Sequence, residues 1–132
     1  MNMDNRLILI VDDDDAVRKS LVRYLEDTEY QVLSAATYEK AIQILGDQQP
    51  HLAVVDMRLA GNSGENLILT AHAMQPKLRF LVYTGSNTFE VTPAMKQVGI
   101  TPEDILRKPV ESLSVIHKAI DRVVNEMTGG EA

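Results

Sequence analysis

The 132-residue chain contains no cysteine, which excludes disulfide scaffolds, thiol nucleophiles and cysteine-based zinc or iron–sulfur centres together. Positive charge is also short. Thirteen Lys and Arg stand against nineteen Asp and Glu, a formal net charge of −6, whereas direct nucleic-acid binding calls for a basic face. Long apolar runs are missing too: the longest, around Leu7 to Val11, falls far below the roughly 18 residues of a membrane-spanning helix. Met1-Asn2-Met3-Asp4-Asn5 has neither the basic n-region nor the apolar h-region of a signal peptide. The expectation is a cytoplasmic protein that binds no membrane and no nucleic acid directly. His51, His72 and His117 show no ligand spacing and read as surface or helix-face residues.

The remaining composition, 45% hydrophobic and 24% charged, is that of an ordinary globular domain, and the length sustains one core rather than two. One domain over residues 1–127 is expected, with Thr128-Gly129-Gly130-Glu131-Ala132 as a flexible tail or truncated linker. Within it two kinds of segment alternate. Leu7-Ile8-Leu9-Ile10-Val11, Leu52-Ala53-Val54-Val55 and Phe80-Leu81-Val82-Tyr83 are short and apolar on both faces, as buried parallel strands are. Gln31 to Ala35 and Ile105 to Arg107 complete about five strands. Between them apolar residues recur at helical spacing: Val17, Leu21 and Leu25; Ala41, Ile42 and Leu45; Leu67, Ile68 and Ala71; Leu113, Ile116, Ile120, Val123 and Met127. Thr37, Ser63 and Thr92-Pro93 stand where helices should begin, and Gly99 where a short fourth helix should stop. Strict alternation predicts an α/β domain, a parallel sheet with helices on both faces.

Ligands of open parallel sheets bind beyond the carboxyl ends of the strands. Those ends carry Asp12-Asp13-Asp14-Asp15 after the first strand, Asp56 after the third, Thr84 after the fourth and Lys108-Pro109 after the fifth. Gathered carboxylates repel, by about 4 kcal/mol for two charges 4 Å apart at an effective dielectric near 20. A hard divalent cation offsets this, and Mg²⁺, with Mn²⁺ as a substitute, uses one or two carboxylates and leaves room for a phosphoryl oxygen. Asp56, the acid best isolated at a strand end, is the candidate nucleophile for an aspartyl phosphate. Thr84 and Lys108 are then placed to bind phosphoryl oxygens. Singly, each has a plain reading: an acidic run is a solvated turn, Thr84-Gly85 a strand-to-turn junction, Lys108 a surface lysine. Four suitable groups on the one rim the topology singles out are harder to ascribe to unrelated turns.

Ile8-Leu9-Ile10-Val11-Asp12-Asp13-Asp14, Asp56 through Gly64, Thr84-Gly85 and Lys108-Pro109 together resemble the receiver domains of two-component response regulators, over about residues 6 to 127. The resemblance implies a flavodoxin-like (βα)₅ fold of strand order 2-1-3-4-5, with a cis bond before Pro109. It implies that Asp56 accepts a phosphoryl group from a sensor histidine kinase or a histidine phosphotransfer protein, with slow autodephosphorylation rather than enzyme turnover. Asp13, Asp56 and the backbone carbonyl of Arg58 would ligate Mg²⁺, and Asp12 would act mainly through water. The downstream partner would be another protein or a fused output domain. The kinase would meet the first turn of the first helix, around Ala16 and Val17, with Pro109 nearby.

Three positions depart from the family pattern. Ile105 replaces the aromatic often found three residues before the lysine; the loop through Ile100-Thr101-Pro102-Glu103 is about two residues longer than usual; Ala60 stands where proline is frequent. The resemblance also implies that Arg58 and Ser86, flanking the site, stand at positions that tune phosphoryl lifetime in the family. Two other functions are expected to compete: a receiver-fold interaction module without a switch, and a haloacid-dehalogenase-like phosphatase using Asp13 and Asp15.

Overall fold

The computed structural model describes residues 6–59, 61–86, 89–110 and 112–131, with side chains to residue 127; Ala60 and Ala132 fall outside the described residues. Strands β1 (Leu7–Val11), β2 (Gln31–Ala35), β3 (Leu52–Val55), β4 (Arg79–Thr84) and β5 (Ile105–Arg107) form one parallel sheet in the order β2-β1-β3-β4-β5. This is the expected 2-1-3-4-5 arrangement. Helices α1 (Asp15–Glu26), α2 (Tyr38–Asp47), α3 (Gly64–Met74), α4 (Pro93–Gln97) and α5 (Leu113–Glu131) connect and follow the strands.

The period of two along each strand splits its apolar side chains between two cores. Ile8, Ile10, Leu52, Val54, Leu81 and Tyr83 pack with Leu21 and Leu25 of α1 and with Ile116, Ile120 and Val123 of α5. Leu9, Val11, Ala53, Val55, Phe80 and Val82 point the other way, onto Ala41, Leu45, Leu67, Ile68, Ala71 and Met95 of α2, α3 and α4. Both faces are covered, which is why the strands read as unbroken apolar runs. Each fully buried Leu, Ile or Val stabilises the fold by roughly 1.5–3 kcal/mol.

The cap residues act where the sequence places them. The hydroxyls of Thr37, Ser63 and Thr92 accept the backbone N–H groups of Lys40, Asn66 and Met95 at 3.1, 3.0 and 3.2 Å. Gly99, at φ +96°, ends α4 by donating to Lys96 while Ile100 N–H donates to Met95, a Schellman closure that requires the left-handed backbone.

Three features add to the sequence expectation. The backbone of residues 128–130, expected as tail, continues α5 to Glu131; extending a helix already nucleated and packed adds one hydrogen bond per residue fixed. The segment after Asp56 forms a two-residue antiparallel ribbon, Arg58 opposite Ser63 and Leu59 opposite Asn62. The longer loop before β5 becomes a 3₁₀ turn, Pro102–Asp104. Its Asp104 is 2% exposed, accepts from Thr101 N–H and hydroxyl, and pairs with Arg122 of α5 at 2.9 Å. The added residues are tied down at both ends.

Candidate functional site

Strand register brings the site together. Val11 aligns with Ala35 and Val55, Val55 with Val82, and Thr84 with Arg107. The residues that follow these partners therefore emerge on one rim. Asp12 and Asp56 continue the ladder by one bond each, donating from their N–H groups to Ala35 and Val11, so both carboxylates start from fixed backbone. Lys108 N–H donates to the Thr84 carbonyl at 2.7 Å, and the Lys108–Pro109 bond is cis.

Asp12, Asp56 and Thr84 are buried, whereas Asp13 is exposed. Lys108 Nζ lies 2.8 Å from Asp12 Oδ2 and 3.2 Å from Asp56 Oδ2, and 5.1 Å from the centre of the Tyr83 ring. Asp12 Oδ1 accepts Asp14 N–H at 2.9 Å, so both Asp12 oxygens are engaged. Asp56 Oδ1 accepts Arg58 N–H at 3.2 Å. The Thr84 hydroxyl accepts Ser86 N–H at 3.1 Å, which leaves its proton free to donate.

Electrostatics follow from this packing. Burial pushes the Asp56 carboxyl above its usual range; the Arg58 N–H and the Lys108 ammonium pull it down, and the Asp12 charge pushes it up again. For Lys108, burial opposes the charge, but hydrogen bonding and attraction to Asp12 and Asp56 outweigh it and raise its pKa. The site is a buried acid pair held by one cation.

Asp13, Asp56, Arg58, Thr84, Ser86 and Lys108 line a cleft of about 460 Å³. Oxygens of Asp12, Asp13 and Asp56 lie within 4.8 Å of one another. Three carboxylates against one ammonium leave negative charge over, and an all-oxygen donor set of this kind fits a hard divalent cation. A larger hollow of about 530 Å³ at the other end of the sheet has no acidic side chain among its lining residues, which include Arg6, His51 and Lys77.

Asp12, Asp13, Asp56, Thr84 and Lys108, picked out from the sequence, meet here, and Arg58 joins them through its backbone N–H. Asp15, needed by the phosphatase reading, does not join them: it pairs with Arg18 at 2.7 Å and lies outside the cluster. Two arginines escaped the sequence reading. Arg18 donates to the Asp12 carbonyl at 2.9 Å and so fixes the acidic turn. Arg107 donates to the Ser86 and Phe89 carbonyls at 2.5 and 2.8 Å, holding those two residues against β5. The only signal for Arg107 was its place beside Lys108. Ile105 is half-buried against the core of the α2–α4 side.

The family model of the response regulator receiver domain matches residues 8–121. The photosynthetic apparatus regulatory protein RegA of Rhodobacter capsulatus is 31% identical over 108 residues, 82% of this chain and 58% of that protein. A cyclic di-GMP phosphodiesterase of Thermotoga maritima is 29% identical over 120 residues, 88% of this chain and 32% of that protein. This chain thus spans at most about three-fifths of the length of these relatives. Among solved structures, a CheY-like receiver domain protein from Methanospirillum hungatei superposes with a TM-score of 0.85 at 27% identity, over 95% of this chain and 98% of that one. A response regulator from Burkholderia pseudomallei, solved with a phosphorylated aspartic acid, calcium and citrate, gives 0.77 at 28% identity, over 96% and 73%.

Proposed function

The chain belongs to the response regulator receiver family, and from that premise we propose that it is a phosphorylatable switch whose acceptor is Asp56. Receiver domains are signalling domains, and no helix among the described residues is long and apolar enough to cross a membrane. The observation that supports the proposal is Lys108 Nζ bridging Asp12 and Asp56 at 2.8 and 3.2 Å on the rim where the Thr84 hydroxyl also ends.

In the proposed reaction an Asp56 carboxylate oxygen forms the new P–O bond while the P–N bond of a phosphohistidine in a kinase or phosphotransfer protein breaks, its electron pair leaving on the imidazole nitrogen. Asp13, Asp56 and the Arg58 carbonyl would hold Mg²⁺, or Mn²⁺ in its place, with Asp12 acting through water. Bound there, the cation supplies positive charge that screens the acids and the incoming phosphoryl oxygens. The residues of the chain do the rest. Arg58 N–H orients Asp56, Lys108 moves its ammonium from the Asp56 oxygen to a phosphoryl oxygen, and Thr84 donates its free hydroxyl proton to another. Because the Arg107 guanidinium ties the Ser86 and Phe89 carbonyls to β5, movement of Thr84 transmits to that segment. The output, another protein or a domain elsewhere in a longer chain, would bind the remodelled face through the population shift that one new charged group supplies. The receiver unit is assigned to residues 1–127.

A second reading, an interaction module without a switch, draws on Ile105, since an aliphatic side chain cannot report activation by ring rotation. One experiment separates the two. Beryllofluoride, which mimics the aspartyl phosphate, is added with and without Mg²⁺ and followed by amide NMR. Shifts that need both Mg²⁺ and Asp56 and spread from Thr84 to residues 93–107 support the switch. Shifts confined to the rim support the module, and no binding removes the acidic rim as the site.

A further inference from the structure

A second group of metal-ligating side chains gathers on the α1/α5 face. Donor atoms of Glu29, His117 and Asp121 lie within 4.8 Å of one another. His117 and Asp121 are one helical turn apart on α5 and so share a face. Glu29 comes from the connection between α1 and β2, at the opposite end of the strands from the acidic rim. We propose that these three residues bind a divalent transition cation of the Zn²⁺ class, which ties α5 to that connection.

Three observations carry this. First, the Nε2 atom of His117 is buried and has no hydrogen-bond partner among the described residues. Second, it stands 3.5 Å from Asp121 Oδ1 and 3.9 Å from Glu29 Oε2. Both spacings exceed the hydrogen-bond range of about 2.7–3.2 Å; the one to Asp121 falls within the about 3.3–3.6 Å that separates two donors of one tetrahedral ion held at roughly 2.0–2.2 Å, and the Glu29 carboxylate, on an exposed side chain, closes by a few tenths of an ångström to join it. Third, the ligands are braced from behind. The Tyr30 hydroxyl donates to Asp121 Oδ1, and the Tyr24 and Tyr30 rings meet the imidazole edge-on, with centroids 6.2 and 5.9 Å away. Support of that kind fixes ring orientation and carboxylate position at metal sites. Imidazole with two carboxylates suits Zn²⁺, Ni²⁺ or Cu²⁺, in contrast to the all-oxygen set that suits Mg²⁺. The carboxylate side chains of Asp121 and Glu29 are 40% and 44% exposed, so a cation would reach the buried imidazole nitrogen from their side.

The test titrates Zn²⁺ into the chain with Mg²⁺ in large excess to occupy the acidic rim, and follows the imidazole nitrogens by two-bond ¹H–¹⁵N spectra alongside calorimetry. Equimolar Zn²⁺ should shift the His117 Nε2 resonance, and the affinity should fall at least about tenfold in Glu29→Gln and about tenfold in Tyr30→Phe, which removes only the brace. His117→Gln should abolish that binding event. Glu29 is outside both cores, so its variant keeps the test valid should His117→Gln fail to fold. A His117 resonance that Zn²⁺ leaves unmoved, or an affinity unchanged in Glu29→Gln, overturns the proposal. Neither result depends on phosphorylation of Asp56.

Discussion

Two carboxylate clusters gather among the described residues, and they solve the problem of like charge differently. On the rim, Asp12 and Asp56 are buried and share an internal cation, Lys108, within hydrogen-bond distance of both. On the α1/α5 face, Glu29 and Asp121 are 44% and 40% exposed, and their neighbouring imidazole stands outside that distance. The rim is therefore built to keep its geometry with or without a guest. The second cluster relies on water and on whatever enters it.

The largest expected effect is on chemistry. Replacing Asp56 by Asn should abolish phosphoryl uptake from any donor, read as loss of the phosphorylated species by intact mass after treatment with a small-molecule phosphodonor. Uptake that survives would move the acceptor to another acid and dissolve the contrast.

Next comes the backbone that aims Asp56. Gly64 N–H donates to the Met57 carbonyl at 2.9 Å, and a Cβ on Gly64 would meet the Asp56 carbonyl oxygen at 2.3 Å and Met57 Cα at 2.7 Å. Gly64→Ala must push that backbone apart, and it should destabilise the fold by about 3 kcal/mol in urea titration. No such close backbone approach supports the second cluster, which rests on the spacing of His117 and Asp121 along α5 and on the Tyr30 hydroxyl.

Lys108→Ala should then destabilise the cation-free protein by about 2 kcal/mol, less than a fully enclosed pair because Lys108 keeps some solvent contact. Saturating Mg²⁺ should restore most of it. A variant as stable as the parent without Mg²⁺ would mean that Lys108 does not hold the acids together.

The pH dependence has a definite sign. Burial raises the folded-state pKa of Asp56 above 3.8, so the folded chain holds this proton more tightly than the unfolded chain does. Ionised Asp56 thus lowers stability at neutral pH, and that penalty is relieved as pH falls through the raised value toward 3.8. In a chelator, Asp56→Asn should be more stable than the parent at neutral pH, with the difference shrinking in that acidic window. A difference that grows on acidification would reverse the assignment.

The strands, the two-sided core and the gathering of acid, hydroxyl and ammonium on one rim were legible because each depends on neighbours in sequence. Apolar runs of four or five residues, caps such as Thr37 and Ser63, and an acid, hydroxyl or ammonium directly after a strand are local signals. Partnerships across the chain were not. Lys108 reaches Asp12 over 96 positions, and nothing near Arg122 announces that it will pair with a buried Asp104. His117 looked like a helix-face residue for the same reason: Asp121 is local, but Glu29 arrives from 88 positions away by the parallel order of the sheet. Thr128-Gly129-Gly130 has the composition of a tail, yet the backbone of α5 runs on to Glu131, because a helix already under way is extended residue by residue.

The smallest effect is the most discriminating. Glu29→Gln removes a charge that is nearly half exposed and whose nearest ion partner among the described residues, His117, stands 3.9 Å away, so in the absence of metal it should change stability by no more than about 0.5 kcal/mol. With Zn²⁺ present the parent should gain stability, since a cation bound only to the folded state shifts unfolding by mass action, and the variant should gain less. Matched urea titrations with chelator and with Zn²⁺ measure both. A metal-free loss as large as that of Lys108→Ala would show that Glu29 is already in a strong ion pair. The two clusters would then be alike, each closed on its own cation.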